Sequence, residues 1–119
     1  MIFGIGIDLI EIKRFSNIKP SFIKKVFTQQ EINYLANKKL ESTAGIFVAK
    51  EAIAKSLGTG FKFFSIHEIE ILHDKKNAPT VKLHGRALEF SKQINITKIN
   101  ISISHTKKTA IAFAIAESN

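Results

Sequence analysis

Three charged side chains interrupt a strongly apolar segment of the chain: Lys50, Glu51 and Lys55. Charged groups in a buried setting must be paired or must coordinate a ligand. Glu51 and Lys55 are four residues apart, so on a helix they can form an ion pair that contributes about 0.2–0.5 kcal/mol. Both interpretations stay open, an intrahelical ion pair and a functional site. Three charges just ahead of a glycine-containing turn favour the site.

Two glycine-containing segments could bring anions or metal ions close to the backbone. The turn Gly58-Thr59-Gly60 could direct N–H groups at a phosphate, although such a turn also serves as a helix cap. Asp8 ends the segment that holds Gly4 and Gly6. Together with Glu51, phosphates and water it would make an oxygen-only site suited to magnesium. The alternative for Asp8 is a cap for a helix that starts near Glu11.

A third candidate segment is Ser104-His105-Thr106, which is followed by Lys107 and Lys108 and would suit a phosphate. A serine hydrolase is excluded because G-x-S-x-G is absent. A dinucleotide fingerprint is excluded because Leu9 stands where its third glycine belongs. The other histidines lack metal-ligand spacing, and we assign them no role.

Periodicity and turn signals predict an α+β fold, with a mainly antiparallel sheet packed against a long buried helix. Strands are predicted over 1–10, 65–73, 80–84, 98–104 and 109–117, and helices over 11–18, 28–37, 42–57 and 86–94. Thr28 and Glu31 have the spacing of a capping box. In the first strand one face carries Phe3, Ile5, Ile7 and Leu9, and the other carries Gly4, Gly6 and Asp8. Glycines in a strand often mark close approach of another backbone or of a ligand.

Composition limits the class of protein. The 119 residues suit one domain, spanning 1–119, and the absence of cysteine excludes disulfides and thiolate chemistry. The longest apolar run, residues 110–116, is far shorter than the roughly 18 residues of a membrane span, and the N-terminus lacks the basic lead of a signal peptide. We therefore expect a soluble, cytoplasmic protein without a membrane partner. The net charge of +8 attracts anions in general, or reflects a lysine-rich composition that aids solubility.

Three sequence blocks carry a family resemblance: GIGIDLIEIKR (4–14), FVAKEAIAKSLGTG (47–60) and SISHTKKTAIAFAIAE (102–117). In order, spacing and total length they resemble holo-acyl-carrier-protein synthases, the small bacterial phosphopantetheinyl transferases. The resemblance implies magnesium-dependent transfer of phosphopantetheine from coenzyme A to a serine of apo acyl carrier protein. The by-product would be adenosine 3',5'-bisphosphate, and the reaction would support fatty acid biosynthesis. It also implies a homotrimer with active sites at subunit interfaces.

The resemblance assigns roles residue by residue. It implies Asp8 and Glu51 as magnesium ligands, with Lys55 as the third catalytic residue. Its coenzyme-binding residues would be Lys50, Lys55, Gly58, Thr59, Gly60, Pro79, Ser104, His105 and Thr106. The basic residues Lys13, Arg14, Lys24 and Lys25 would attract an acidic carrier protein; the alternative for them is an ordinary solvated face.

Two departures from the family pattern concern coenzyme binding. Ile46 replaces an arginine, and Asn77-Ala78-Pro79 replaces a Gly-Lys-Pro turn, so two cations are missing. Lys62, Lys75 or Lys76 would be the candidates to replace them. Two other function classes remain open at this stage. One is a nucleic-acid-binding module, which the charge suggests but which lacks an aromatic stripe, a zinc signature and a recognition helix. The other is an inactive interaction protein.

Overall fold

The structure is a computed structural model that describes all 119 residues, and it confirms the predicted α+β class. The helices are α1 (Pro20–Val26), α2 (Gln29–Leu35), α3 (Leu40–Ser56) and α4 (Gly85–Gln93). The strands are β1 (Ile2–Glu11), β2 (Ile69–His73), β3 (Pro79–Leu83), β4 (Ile96–His105) and β5 (Thr109–Ser118). None of the helices combines the length and apolar character that a membrane crossing requires.

Two antiparallel sheets surround the long helix. The larger sheet has the strand order β1-β5-β4, and the smaller one consists of β2 and β3. In the larger sheet Asp8 of β1 lies opposite Ala112 of β5. Helix α3 packs on one face of this sheet and is buried over most of its length, as its apolar composition predicts.

Small residues let β1 and β5 approach α3 closely. A Cβ atom on Gly4 would overlap the backbone oxygen of Ser56, and one on Gly6 would overlap that of Ala52. The four alternate alanines of β5 are also buried, each at most 1% exposed: Ala110, Ala112, Ala114 and Ala116. The predicted close approach at the glycines is therefore confirmed, and the approaching group is the backbone of α3.

The opposite face of the same sheet is apolar and open. Phe3, Ile5, Ile7 and Leu9 point away from α3 and are 42–62% exposed. Ile111 and Phe113 of β5 extend this surface. We call these six residues the open apolar face.

Two predicted elements are wrong in part. The helix predicted over 11–18 is only one turn of 3-10 helix, Ile12–Phe15. The strand predicted over 65–73 begins at Ile69, because Ser65 and Glu68 form a capping box that turns residues 66–68 into a 3-10 helix. The capping box predicted at Thr28 and Glu31 is confirmed at the start of α2.

Candidate active site

Asp8, Glu51 and Lys55 come together where β1 crosses α3. The Nζ of Lys55 lies 3.4 Å from Oδ1 of Asp8 and 3.0 Å from the carbonyl oxygen of Ile7. Lys55 therefore pairs with the carboxylate on the strand, which excludes the simple pair with Glu51 as its only role. Asp8 caps no helix, because the 3-10 turn after β1 has Glu11 at its N-cap position and no side-chain cap.

The charges at this crossing are incompletely balanced. Burial raises the pKa of the Glu51 carboxyl, the nearby Asp8 carboxylate raises it further, and Lys55 opposes both effects. The Glu51 carboxylate makes no hydrogen bond or ion pair within the chain. Two carboxylates thus share one lysine at the junction, so a cation bound between them would relieve their repulsion.

The donor set fits magnesium better than a softer metal. Asp8 and Glu51 supply only carboxylate oxygens, and magnesium is usually held by one or two carboxylates together with waters and substrate phosphates. No group of three or more His, Asp or Glu side chains is placed to hold a metal ion. Protein ligands alone would therefore leave positions for phosphate and water.

A cleft with a volume of about 530 Å³ opens beside Glu51. Its floor is apolar and includes Phe22 of α1 and Phe47 of α3, and its rim carries Lys25, Lys62 and Arg86, among twelve lining residues in all. Sequence reasoning did not connect Arg86 with the site. The one hint in the sequence is that arginine is rare in this chain, which contains only Arg14 and Arg86.

The Gly58-Thr59-Gly60 turn ends α3 and acts as its cap. Gly58 and Gly60 adopt φ angles of 89° and 60°, which favour glycine. Their amides donate to the carbonyl oxygens of Lys55 and Ala54, at 3.0 and 3.3 Å. These two N–H groups are therefore used within the chain. Coenzyme binding by this turn stays a prediction.

Pro79 and His105 lie in a second groove, of about 230 Å³, that also contains Ile46. This groove shares no lining residue with the cleft beside Glu51. Ser104 is exposed next to it, and the hydroxyl of Thr106 accepts hydrogen bonds from the amides of Lys108 and Thr109, which closes the β4–β5 turn. The predicted site residues therefore form two separate groups in one chain.

Lys50 requires a correction. It was expected to face the coenzyme phosphates, but its side chain is 0% exposed. Its Nζ lies 2.6 Å from Oε1 of Glu31 and 2.6 Å from the carbonyl oxygen of Val26. Burial lowers the pKa of the Lys50 ammonium, and the Glu31 carboxylate opposes that shift. Sequence reasoning placed Glu31 in a capping box but did not identify it as the partner of Lys50.

The four basic residues predicted to contact a carrier protein are exposed. Lys13 and Arg14 lie on the 3-10 turn after β1, and Lys24 and Lys25 lie on the last turn of α1. Lys13 pairs with Glu11 at 3.5 Å on the surface. Lys25 also reaches the rim of the cleft beside Glu51.

Comparison with known proteins places this geometry in a family. Residues 4–114 match the family model of the 4'-phosphopantetheinyl transferase superfamily. A holo-[acyl-carrier-protein] synthase of Caldicellulosiruptor saccharolyticus is 50% identical over 98% of both chains. A crystal structure of the synthase from Neisseria meningitidis has a TM-score of 0.91 and 30% identity, and it covers 99% of this chain and all of that one. The Helicobacter pylori synthase in complex with coenzyme A has a TM-score of 0.85 and 34% identity, with 95% and 99% of the two chains covered.

Proposed function

The chain belongs to the 4'-phosphopantetheinyl transferase superfamily, among its holo-[acyl-carrier-protein] synthases, and on that premise we propose its reaction. It transfers phosphopantetheine from coenzyme A to a serine of apo acyl carrier protein and releases adenosine 3',5'-bisphosphate. The observation that carries this proposal is the convergence of Asp8, Glu51 and Lys55 at one crossing of β1 and α3. The chain acts in the cytoplasm and supplies holo carrier protein for fatty acid biosynthesis.

The reaction forms one bond and breaks one. The serine oxygen attacks the phosphorus attached to pantetheine, and the bond from that phosphorus to the bridging oxygen of the diphosphate breaks. Charge accumulates on the departing oxygen, and we expect the Lys55 ammonium, which lies beside Asp8, to stabilise it. The serine proton goes to a carboxylate or to a bound water.

Asp8 and Glu51 are the residues that would hold magnesium. When bound, the ion neutralises the diphosphate and orients it for displacement. Asp8 contributes from a strand and Glu51 from a helix whose backbones touch at Gly6, so the two carboxylates are held on a rigid frame. Lys55 keeps Asp8 oriented through its contact at 3.4 Å.

We propose a homotrimer as the active form. The open apolar face contains large side chains that a monomer rarely leaves exposed together, which supports an interface between copies. Contact between copies could also bring the Pro79 and His105 groove of one chain to the Glu51 cleft of another, completing the coenzyme site. Light scattering should give a trimer for the parent protein and for Leu88→Glu, whereas Ile5→Glu should give monomers. A trimeric Ile5→Glu protein contradicts this interface.

Docking of the acidic carrier protein is assigned to Lys13, Arg14, Lys24 and Lys25. Their exposure and shared sign support electrostatic attraction, which raises the association rate at low salt. The double variant Lys24→Glu/Lys25→Glu should weaken carrier use, and the loss should shrink as salt is added. Lys92→Glu/Lys98→Glu makes the same change in net charge elsewhere and serves as control. Equal losses in both variants would reduce the effect to overall charge.

The deciding experiment weighs the carrier protein. Incubation with coenzyme A, magnesium and apo carrier should add the mass of one phosphopantetheinyl group, and a carrier with its serine replaced by alanine should gain nothing. Omitting magnesium and adding a chelator should stop the reaction. No mass gain under any metal condition overturns the proposed function and favours an inactive interaction protein.

A further inference from the structure

Lys50 directly precedes Glu51 in the sequence, yet its side chain points into the core. Besides Glu31 and the Val26 carbonyl, its Nζ lies 5.4 Å from the centre of the Phe27 ring. An ammonium group has three donors and no acceptor. All of its interactions are therefore made within the chain, and none is left for a coenzyme.

The Val26 carbonyl is the group that gives Lys50 a connection to function. Val26 is the last residue of α1, and carbonyls in the last turn of a helix lack intrahelical partners. Lys50 supplies that partner from α3. The rings of Phe22 and Phe47, 6.1 Å apart, join the same two helices. Helix α1 is thus anchored to α3 at its C-terminal end, one residue from Lys25.

We call the contact of Lys50 with Glu31 and the Val26 carbonyl the anchor, and Glu31 holds it in place. Glu31 accepts hydrogen bonds from the amide of Thr28 at 2.8 Å and from the amide of Ile71 in β2 at 2.7 Å, in addition to its contact with Lys50. A buried ion pair is often replaceable by apolar groups without loss of stability, so stability alone does not explain its presence.

We propose that Lys50 is a positioning residue for carrier-protein docking. It fixes the end of α1, with Lys24 and Lys25, at a set position relative to Glu51, the next residue of α3. This inference rests on the proposed function and deepens it. Lys50 acts through the Val26 carbonyl and touches neither substrate, so its loss affects one substrate more than the other.

The test uses three variants. Lys50→Met removes the ammonium. Lys50→Met/Glu31→Gln also removes the partner charge and keeps one amide oxygen, which can accept from either the Thr28 or the Ile71 amide. It leaves no unpaired buried charge, so it should fold where the single variant is unstable. Ile53→Val deletes a buried methyl group from the same helix and leaves the anchor intact. Steady-state kinetics are measured with coenzyme A and the carrier varied separately.

Both Lys50 variants should raise the KM for the carrier about 10- to 100-fold, the scale found for residues that support the ligands of a metal site. The KM for coenzyme A should rise by a smaller factor, because Val26 also lines the cleft beside Glu51. In hydrogen exchange, the amides of residues 23–27 should exchange faster than in the parent protein. Ile53→Val should lower stability without changing either KM.

A rise in the KM for coenzyme A that equals or exceeds the rise for the carrier, or an unchanged carrier KM in the folded double variant, overturns the proposal. Unchanged exchange at residues 23–27 also overturns it. The exchange measurement needs no activity, so it tests the anchor even if the parent protein transfers nothing, a result that would instead contradict the proposed function.

Discussion

Two carboxylate clusters lie on either side of α3, and they are built in opposite ways. In the interior cluster, Glu31 accepts two backbone amides and the Lys50 ammonium, and Glu70 accepts from the Thr28 hydroxyl at 2.5 Å and contacts Nε2 of His84 at 2.9 Å. At the β1–α3 crossing, Glu51 has no partner within the chain and Asp8 has only Lys55.

The pKa values follow this difference. Burial alone would raise the pKa of Glu70, but hydrogen bonds from Thr28 and His84 outweigh it, so the net shift is downward. The pKa of Glu51 is raised by burial and by Asp8. The interior cluster satisfies its own charges, whereas the cluster at the crossing needs something from outside, as expected of a functional site.

The sharpest test of this contrast is removal of the unbalanced charge. Glu51→Gln keeps the size and shape of the side chain. Transfer should fall about 100- to 1000-fold, because the carboxylate proposed to hold the cation that stabilises the transition state is lost. Circular dichroism and oligomer size should match the parent protein. Glu89→Gln, an exposed acid on α4, is the matched control. Activity near the parent level in Glu51→Gln would remove Glu51 from the site.

Removing the balanced charge should damage the fold. Glu31→Leu leaves the Lys50 ammonium buried without its carboxylate and the Ile71 amide without an acceptor. The free energy of unfolding should fall by about 3–5 kcal/mol, measured by urea denaturation. A fully stable Glu31→Leu protein would show that the interior cluster does not depend on its ion pair.

The close contact of β1 with α3, which holds Asp8 near Glu51, can be disrupted by a single added methyl group. Gly6→Ala places a Cβ against the backbone oxygen of Ala52, which cannot move as a side chain could. We expect a loss of about 1–3 kcal/mol in stability, together with reduced transfer as Asp8 shifts. Gly45→Ala is the control, because its Cβ would meet only a side-chain atom, the Cγ2 methyl of Ile103, at 3.0 Å. Equal behaviour of the two alanine variants would contradict the close contact.

The smallest expected effect is on the pH dependence of folding stability. The two clusters should change that dependence in opposite directions. A raised pKa means that Glu51 costs stability once it ionises, so the cost is absent below the ordinary glutamate pKa and appears as pH rises through the raised value. Without metal, Glu51→Gln should therefore be more stable than the parent at neutral pH and equal to it in acid.

Glu70 should show the reverse. Its lowered pKa stabilises the fold above the ordinary glutamate pKa, and that contribution is lost as pH falls through the lowered value. Glu70→Gln should therefore be less stable than the parent at neutral pH, with a smaller difference in acid. Thermal unfolding across pH checks both variants. Parallel curves for the two variants would show that the clusters are electrostatically alike.

The sequence predicted most of the elements because their signals are local. The capping box at Thr28, the glycine cap after α3 and the alternation of β5 each depend on residues close together in the chain. The short 3-10 turns were missed because one turn of helix leaves little periodicity to detect. Alternation alone also could not show which face of β1 packs inward. The large apolar side chains lie on the open apolar face, and it is the glycine face that packs on α3.

The residues of the candidate site also divide into those that local motifs predicted and those that depend on partners distant in the sequence. The motifs located Asp8, Glu51 and Lys55, and the structure brings them together. Lys50 was misjudged because its partners, Glu31 and Val26, are distant in sequence, and helical spacing does not reveal which neighbour a long side chain meets. Arg86 was missed for the same reason.

The glycine contact between β1 and α3 also guards against misfolding. Strand side chains alternate, so pairing β1 with β5 one residue out of step would turn Asp8 to the outer surface and press Ile7 or Leu9 onto the helix backbone. Only glycine fits there, because the backbone oxygens of Ala52 and Ser56 occupy the space. A β1–β5 pair formed out of register would therefore collide with α3 and could not close the core around it.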